Sequence, residues 1–472
     1  MDFEKIATQL SGFVWGVPLI ALLFGTHLFL TVRTGFIQRF LVRAIKLSFS
    51  RKKEGDGDVS QFGALMTALA ATIGTGNIVG VSTAIVVGGP GAVLWMWLTG
   101  VFGIATKYSE ALLAVKYRVQ LPNGSFAGGP MYALERGLGQ KWLGLLFAFF
   151  TMVAAFGIGC MTQANSVVAN VNQLLSEKAA TGVSWAQPHT VAWVLGILMA
   201  IATAVTILGG VKSIARVCEL LVPFMAIFYI LGCLAVLCVN WQAIPESISV
   251  ICSSAFTGTA AAGGFVGAGL KLAMQKGIAR GLFSNESGLG SAPIVAAAAQ
   301  TRNPVRQALV SATGTFWDTV VVCAMTGLVI VSSGLWKKGL AADGTMQLKV
   351  DGSPVLDSAA LVHEAFHAVG AWGPWILTIG LLTFVFSTIL GWCYYGEKAT
   401  EYLFGTRAVK PYRILWVLAV LFGSTAKAQA VWDFSDAANG LMAVPNLIAL
   451  ILLSGVIAKE TKDHAHELSG KD

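Results

Sequence analysis

Apolar residues run along this chain in long blocks separated by short polar stretches. A helix crossing a bilayer needs about 20 predominantly apolar residues, and most of the blocks reach that length. The pattern predicts membrane helices at Phe13 to Val32, Val59 to Val87, Ala92 to Tyr117, Trp142 to Val171, Val191 to Leu208 and Leu220 to Val239. Further helices are predicted at Gly263 to Ala299, Ala308 to Ser332, Trp372 to Tyr395, Ile414 to Thr425 (short) and Asn439 to Ala458. The expected fold class is an all-α integral membrane protein of about eleven transmembrane helices.

Two of these blocks do not read as plain helices. Ala70-Ala71-Thr72-Ile73-Gly74-Thr75-Gly76-Asn77-Ile78 puts glycines, threonines and an asparagine in the middle of the second block. Glycine is a poor helix former, and threonine and asparagine side chains compete with helical pairing. In lipid an unpaired backbone group is tolerated only where it lines a cavity or site. The seventh block carries Gly277, Gly281, Gly288 and Gly290 together with Ser284-Asn285-Glu286-Ser287. With residues 1–58 set aside as an N-terminal helix and a basic amphipathic segment, each broken block opens a five-helix half, 59–240 and 241–458. An odd number of helices inverts the second half, and paired breaks of this kind point to a transporter's binding site. The competing explanation is that membrane glycines serve only close helix packing.

Free amides at a half-helix N-terminus suit a carboxylate. Free carbonyls at a half-helix C-terminus, joined by the hydroxyls of Ser387 and Thr388, suit a small hard cation. A site with both features suits a zwitterion carried alongside sodium. Phe283 and Trp392 are candidates for its walls, and Gln163, in mid-helix, for orienting the substrate or for an interhelical hydrogen bond. Acids within membrane helices are functional candidates. Glu286 adjoins the second break, with pairing to Arg280 near the inner surface as the alternative, and Asp318 supports the same region or bonds a neighbouring helix. Glu110 and Glu219 read as interfacial, and Asp433 and Asp436 as lying at the external mouth.

Composition narrows the class. The chain has 472 residues, 55% hydrophobic and 12% charged, with a mean hydropathy of +0.70, against about 25% charged in soluble domains. No stretch is long and polar enough for a separate soluble domain. The net charge of +8 comes from basic residues between apolar blocks, as orientation in a membrane requires. Arg33, Arg39, Arg43, Lys46, Arg51, Lys52 and Lys53 make the densest cluster. It places that loop in the cytoplasm, the N-terminus outside and the tail 459–472 inside. Phe36 to Ser50 reads as an amphipathic segment on the inner leaflet. Trp241 to Ala262 and Gly334 to Gly370 read as external loops, the latter with an amphipathic piece at Ser358 to His367, although its lysines depart from the charge rule. The N-terminus lacks a signal-peptide pattern, so the first apolar block is expected to be retained. Seven scattered cysteines show no metal-like spacing, and the few histidines lie mostly in loops, which weighs against an enzyme. Gly74-x-Gly76 with Gly80 lacks the strand context of a dinucleotide fingerprint. Asn285-Glu286-Ser287 lies too deep for glycosylation.

Four segments carry a family pattern. They are Gly74-Thr75-Gly76-Asn77-Ile78, Pro90-Gly91-Ala92-Val93-Leu94-Trp95-Met96-Trp97-Leu98, Arg280-Gly281-Leu282-Phe283-Ser284-Asn285-Glu286-Ser287-Gly288, and Phe386-Ser387-Thr388-Ile389-Leu390-Gly391-Trp392. They resemble the alanine or glycine:cation symporter family of prokaryotes, with Leu94 where the family pattern has Phe. The resemblance runs along nearly the whole chain. It implies a leucine-transporter-like fold of two inverted five-helix repeats plus one extra helix. It also implies sodium-coupled uptake of alanine or glycine, often with D-alanine, and no cofactor. By position, Gly74, Thr75, Gly76 and Asn77 would hold the substrate carboxylate, and Gln163, Phe283 and Trp392 would form the pocket. Ala70, Ile73, Ser387 and Thr388 would coordinate sodium, and Asn77 and Ser284 match a second sodium region. A bacterial inner-membrane symporter working by alternating access is therefore expected. A proton-coupled or broader carrier is the alternative, followed by a channel or membrane enzyme.

Overall fold

The computed structural model describes residues 3–50, 55–175, 180–257, 266–339, 357–426 and 429–469. Arg51, Lys52, Lys53 and residues 340–356 of the predicted loop 334–370 lie outside this set. Each of the eleven apolar blocks is helical among the described residues. Among the described residues, seven helical stretches are long and apolar enough to cross a membrane.

The first block, expected from Phe13, corresponds to α2 (Val17–Arg33) and is preceded by a further helix, α1 (Phe3–Val14), with Pro18 at the start of α2, where its missing N–H costs nothing. The amphipathic segment contains α3 (Leu41–Ser48). The second block is broken as expected, into α4 (Gln61–Thr72) and α5 (Val79–Gly88). Ser60 caps α4 by accepting the Gly63 amide. Then come α6 (Ala92–Lys116) and α7 (Lys141–Leu174), the latter widened to π-helical turns over Ala155–Met161. The next helices are α8 (Pro188–Ile207) and α9 (Gly210–Val239). Two expectations fail here. Helix α9 starts ten residues early, so Lys212 and Arg216 are helical rather than in a loop. The predicted external loop 241–262 contains α10 (Ile244–Thr257). Both segments are apolar enough to pack, and packing rather than local propensity sets helix length.

The seventh block is again broken, into α11 (Val266–Asn285) and the short α12 (Pro293–Ala296). It leads to α13 (Pro304–Ser332), which Asn303 caps by accepting the Arg306 amide. Helix α14 (Ser358–Phe366) is the amphipathic piece, and it packs on α5. Helix α15 (Gly373–Phe404) runs nine residues past its predicted end. Helices α16 (Val409–Thr425) and α17 (Gln429–Leu452) follow, then α18 (Ser454–Asp463) and α19 (Ala465–Ser469). The last predicted span, Asn439 to Ala458, is shifted: its helix begins earlier, takes in Asp433 and Asp436, and ends before Ser454.

Helix α15 packs against α4, α7 and α9, and α6 packs against α11 and α13. The helix packing is paired. Just as α9 packs on α15, α17 packs on α7, and just as α6 packs on α11, α13 packs on α4. At the basic end, the segment Arg118 to Pro130 forms a small hairpin of β1 (Val119–Gln120) and β2 (Phe126–Ala127). Arg118 donates to the carbonyls of Ala297 and Ala299, and Val59 bridges Ala299, so the ends of both broken segments are tied together. The tail returns to the same end. Glu467 is buried there and accepts from Arg302 Nε at 2.7 Å, Asn303 Nδ2 at 2.8 Å and Arg306 Nη1 at 3.3 Å. Burial pushes its carboxyl up, but these partners outweigh that and hold it below the usual carboxylate range.

Candidate substrate and cation site at the helix breaks

The first break is a single 3-10 turn, Thr75–Asn77, and its residues are buried. Asn77 supports it from within: its Oδ1 accepts the Gly74 amide at 2.9 Å. The Asn77 amide group donates to the Asp318 side chain at 2.7 Å and to the Asp318 carbonyl at 3.1 Å. Ser284 and Thr319 also donate to Asp318, at 3.0 and 2.6 Å. Asp318 is thus the hub that ties the first break to α11 and α13. Asn77 and Ser284, expected together, do share this region.

On the other side of the turn, α15 supplies two hydroxyls. Ser387 Oγ lies 3.3 Å from the Ala70 carbonyl, and Thr388 Oγ1 lies 3.2 Å from the Ile73 carbonyl. Both hydroxyls also donate to the Phe384 carbonyl within their own helix, at 2.8 and 2.9 Å. Four oxygens from two helices therefore converge, all in residues that are fully buried. The approach depends on Gly74, because a Cβ there would lie 2.6 Å from Thr388 Oγ1. Gln163 reaches the same turn from α7: its Oε1 accepts the Thr75 amide at 3.4 Å, and its Nε2 donates to the Ile158 carbonyl at 3.0 Å. That second bond uses a carbonyl left available by the π-helical stretch.

A small cavity of about 20 Å³ sits among these groups, lined by Gly74, Gly76, Gln163, Phe283, Glu286, Thr388 and Trp392. It has room for about one water. The structure thus brings the expected pocket residues together, with Ala70, Ile73 and Ser387 just behind. Thr75 enters through its backbone amide. Trp392 reaches the cavity because Gly159 leaves space for its ring, where a Cβ would lie 2.4 Å away. Sequence reading missed Gly159, Ile158 and the widened turns of α7. A glycine pair flanking an isoleucine in an apolar helix was the available signal.

The second break is built differently. Glu286 has φ 55°, and Gly288 and Gly290 have φ 90° and 88°, conformations that glycine adopts without strain. Gly277 and Gly281 instead serve packing: their Cβ positions would lie 2.3 Å from the Ala92 carbonyl and 2.2 Å from Thr99 Oγ1. Glu110 is not interfacial. It is buried, and its Oε1 accepts the amides of Gly288 and Gly290 at 3.0 and 3.1 Å and Asn446 Nδ2 at 2.7 Å. Glu286 does not lie at the inner surface beside Arg280. It accepts from Ser291, which reaches back across the break, and it lines the central cavity. Lys107, buried on α6, sets its positive charge within range of both acids. Glu219, as expected for an interfacial acid, is half-buried and accepts from Ser60 at the start of α4.

Two broken helices crossing at a buried polar site, inside a helical membrane bundle, define the class: a secondary transporter with the leucine-transporter-like fold. The crystal structure of MhsT in complex with L-phenylalanine has the same fold, with a TM-score of 0.58, 17% identity, and coverage of 84% of this chain and 89% of that one. The family is equally clear. The model of the sodium:alanine symporter family matches residues 1–472, and the chain belongs to that family. It is 50% identical to the sodium/alanine symporter AgcS of Methanococcus maripaludis, over 98% of this chain and 97% of AgcS. An uncharacterized transporter of Haemophilus influenzae is also 50% identical, over 99% and 97%. The probable sodium/glutamine symporter GlnT of Bacillus subtilis is 36% identical, over 99% and 92%.

Proposed function

We propose that this protein couples the inward movement of sodium to uptake of a small neutral amino acid, alanine or glycine, by alternating access. One observation carries this reading: the oxygens of Ala70, Ile73, Ser387 and Thr388 converge beside a cavity walled by Phe283 and Trp392. Carbonyl and hydroxyl oxygens suit a small hard cation carried as cargo. Backbone amides at the turn, including that of Thr75, offer donors to a carboxylate. Asn77 and Ser284, held by Asp318, form a second cation region. The proposed repeats are residues 59–240 and 241–458, and the matched packing of α9 on α15 and α17 on α7 supports them. The basic end that holds Arg118, Arg302 and Arg306 faces the cytoplasm of a bacterial inner membrane, which leaves the N-terminus outside.

A proton-coupled carrier is the second reading, favoured by the buried Glu286 on the cavity wall. Alanine uptake into proteoliposomes separates the two. The expected result is uptake that needs a sodium gradient. Uptake that persists without sodium and collapses with the proton gradient overturns the sodium reading.

A further inference from the structure

A cavity of about 500 Å³ opens at the basic end of the bundle, apart from the substrate and cation site. This falls within the range of roughly 300–1,000 Å³ common for small-molecule sites. The tip of the β1–β2 hairpin, the turn between α8 and α9, α15 and α16 meet around it. Helix α15 forms its floor, where Tyr394, Glu397, Lys398 and Glu401 are all buried. The acids of the lining already have partners. Glu401 accepts from Lys398 Nζ at 2.7 Å, and Glu397 accepts from Arg413 Nε and Nη2 at 2.7 and 2.9 Å. Asp58, the third, accepts the Phe126 amide at 2.8 Å. The donors are not all answered. The Tyr394 hydroxyl, on a side chain 1% exposed, has no hydrogen-bond partner among the described residues. An unpaired buried hydroxyl is costly, and this one belongs to a residue of the cavity floor. Lys212 of α9 and Lys410 of α16 are exposed in the lining and form no ion pair among the described residues.

We propose that this cavity receives the phosphate group of an anionic phospholipid from the leaflet at the basic end. Lys212 and Lys410 meet the phosphate charge, and Tyr394 donates to a headgroup oxygen from the floor. Basic pockets between membrane helices suit such headgroups. With Glu397 and Glu401 answered by Arg413 and Lys398, the uncommitted charge is that of the two lysines against Asp58 alone, so the cavity favours an anion. Apolar surface adjoins it as well. Leu208, beside Gly209 of the lining, and Ile414, beside Arg413, are 76% and 64% exposed. A headgroup in the cavity therefore has somewhere to lay its acyl chains, which a soluble phosphate does not need. The floor helix α15 is also the helix that carries Ser387, Thr388 and Trp392, so the headgroup would rest on an element of the central site. The inference stands on this cavity and is independent of the sodium and amino-acid reading.

The test is thermal unfolding of the purified full-length protein in non-ionic detergent micelles doped with phosphatidylglycerol or with phosphatidylcholine. A ligand that binds only the folded state raises the melting temperature. Phosphatidylglycerol is expected to raise it by roughly 2–4 °C, and phosphatidylcholine by less than about half as much. The rise should vanish when Lys212→Gln and Lys410→Gln are combined, and should fall by about half or more in Tyr394→Phe. Lys141→Gln, which removes a charge at the start of α7 outside the cavity, should keep it. Without added lipid, all these variants should melt within about 1 °C of the wild type, which reports an intact fold. Potassium phosphate should give no rise over potassium chloride at equal ionic strength. An equal rise with both lipids, or a full rise in both cavity variants, overturns the site. A rise with potassium phosphate matching that with phosphatidylglycerol overturns the lipid assignment in favour of soluble phosphate.

Discussion

The two helix breaks look alike in the sequence, but a buried carboxylate reaches the backbone of the second directly and that of the first only through the Asn77 side chain. At the second break a buried carboxylate, Glu110, takes two backbone amides and Asn446 at 2.7–3.1 Å. Hydrogen bonds to a charged group are the strong kind. At the first break the contacts that reach in from α7 and α15 are neutral and long, 3.2 to 3.4 Å. Weak contacts of this kind are readily exchanged for a ligand, whereas the Glu110 cap is not. We propose on this ground that the first break is the binding element and the second the frame that presents Phe283, Ser284 and Glu286 to it.

If that contrast holds, damage to the second break appears as lost stability, and damage to the first as altered transport. The largest effect is expected for Glu110→Ala, which leaves buried amides without an acceptor and costs about 3 kcal/mol or more. Thermal unfolding of the purified protein, or failure to accumulate, reads it. A wild-type melting temperature would mean the second break supports itself. Next is Gly288→Ala, with φ at 90° and a Cβ only 2.7 Å from Leu23. Its expected cost is about 2 kcal/mol, measured in the same way.

At the first break, Thr388→Ala is expected to keep its stability to within about 1 kcal/mol while raising the sodium concentration for half-maximal uptake about tenfold. An unchanged sodium dependence would remove Thr388 from the cation site. The smallest effect belongs to Trp392→Phe. Opening the wall by a ring should improve competition by larger neutral amino acids by a few fold, about 1 kcal/mol. If the ranking of competitors stays the same, Trp392 does not set substrate size.

Much of this site was legible in the chain. Ala70 to Ile78 read as a break because its residue types oppose a helix whatever surrounds them, and Ser387-Thr388 stood out as paired hydroxyls in an apolar helix. What was not legible was which partner each buried acid would meet. Glu110 read as interfacial from its position near a helix end, yet it caps Gly288 and Gly290, far along the sequence. Glu286 allowed two readings, a functional acid beside the second break or an acid near the inner surface paired to Arg280. In the fold Glu286 turns inward to Ser291, and Arg280 lines a separate cavity with Lys276 and Asp436.

By itself, the sequence determined the helical blocks, the positions of both breaks and the set of polar groups available to a site. Those follow from hydrophobicity and backbone propensity, which act locally. Only the tertiary structure decided that the amides of one break are capped by a buried carboxylate and that the other break is supported through Asn77 and Asp318. That division depends on which side chains from distant helices come within hydrogen-bond reach, and hydrophobic pattern carries no record of it.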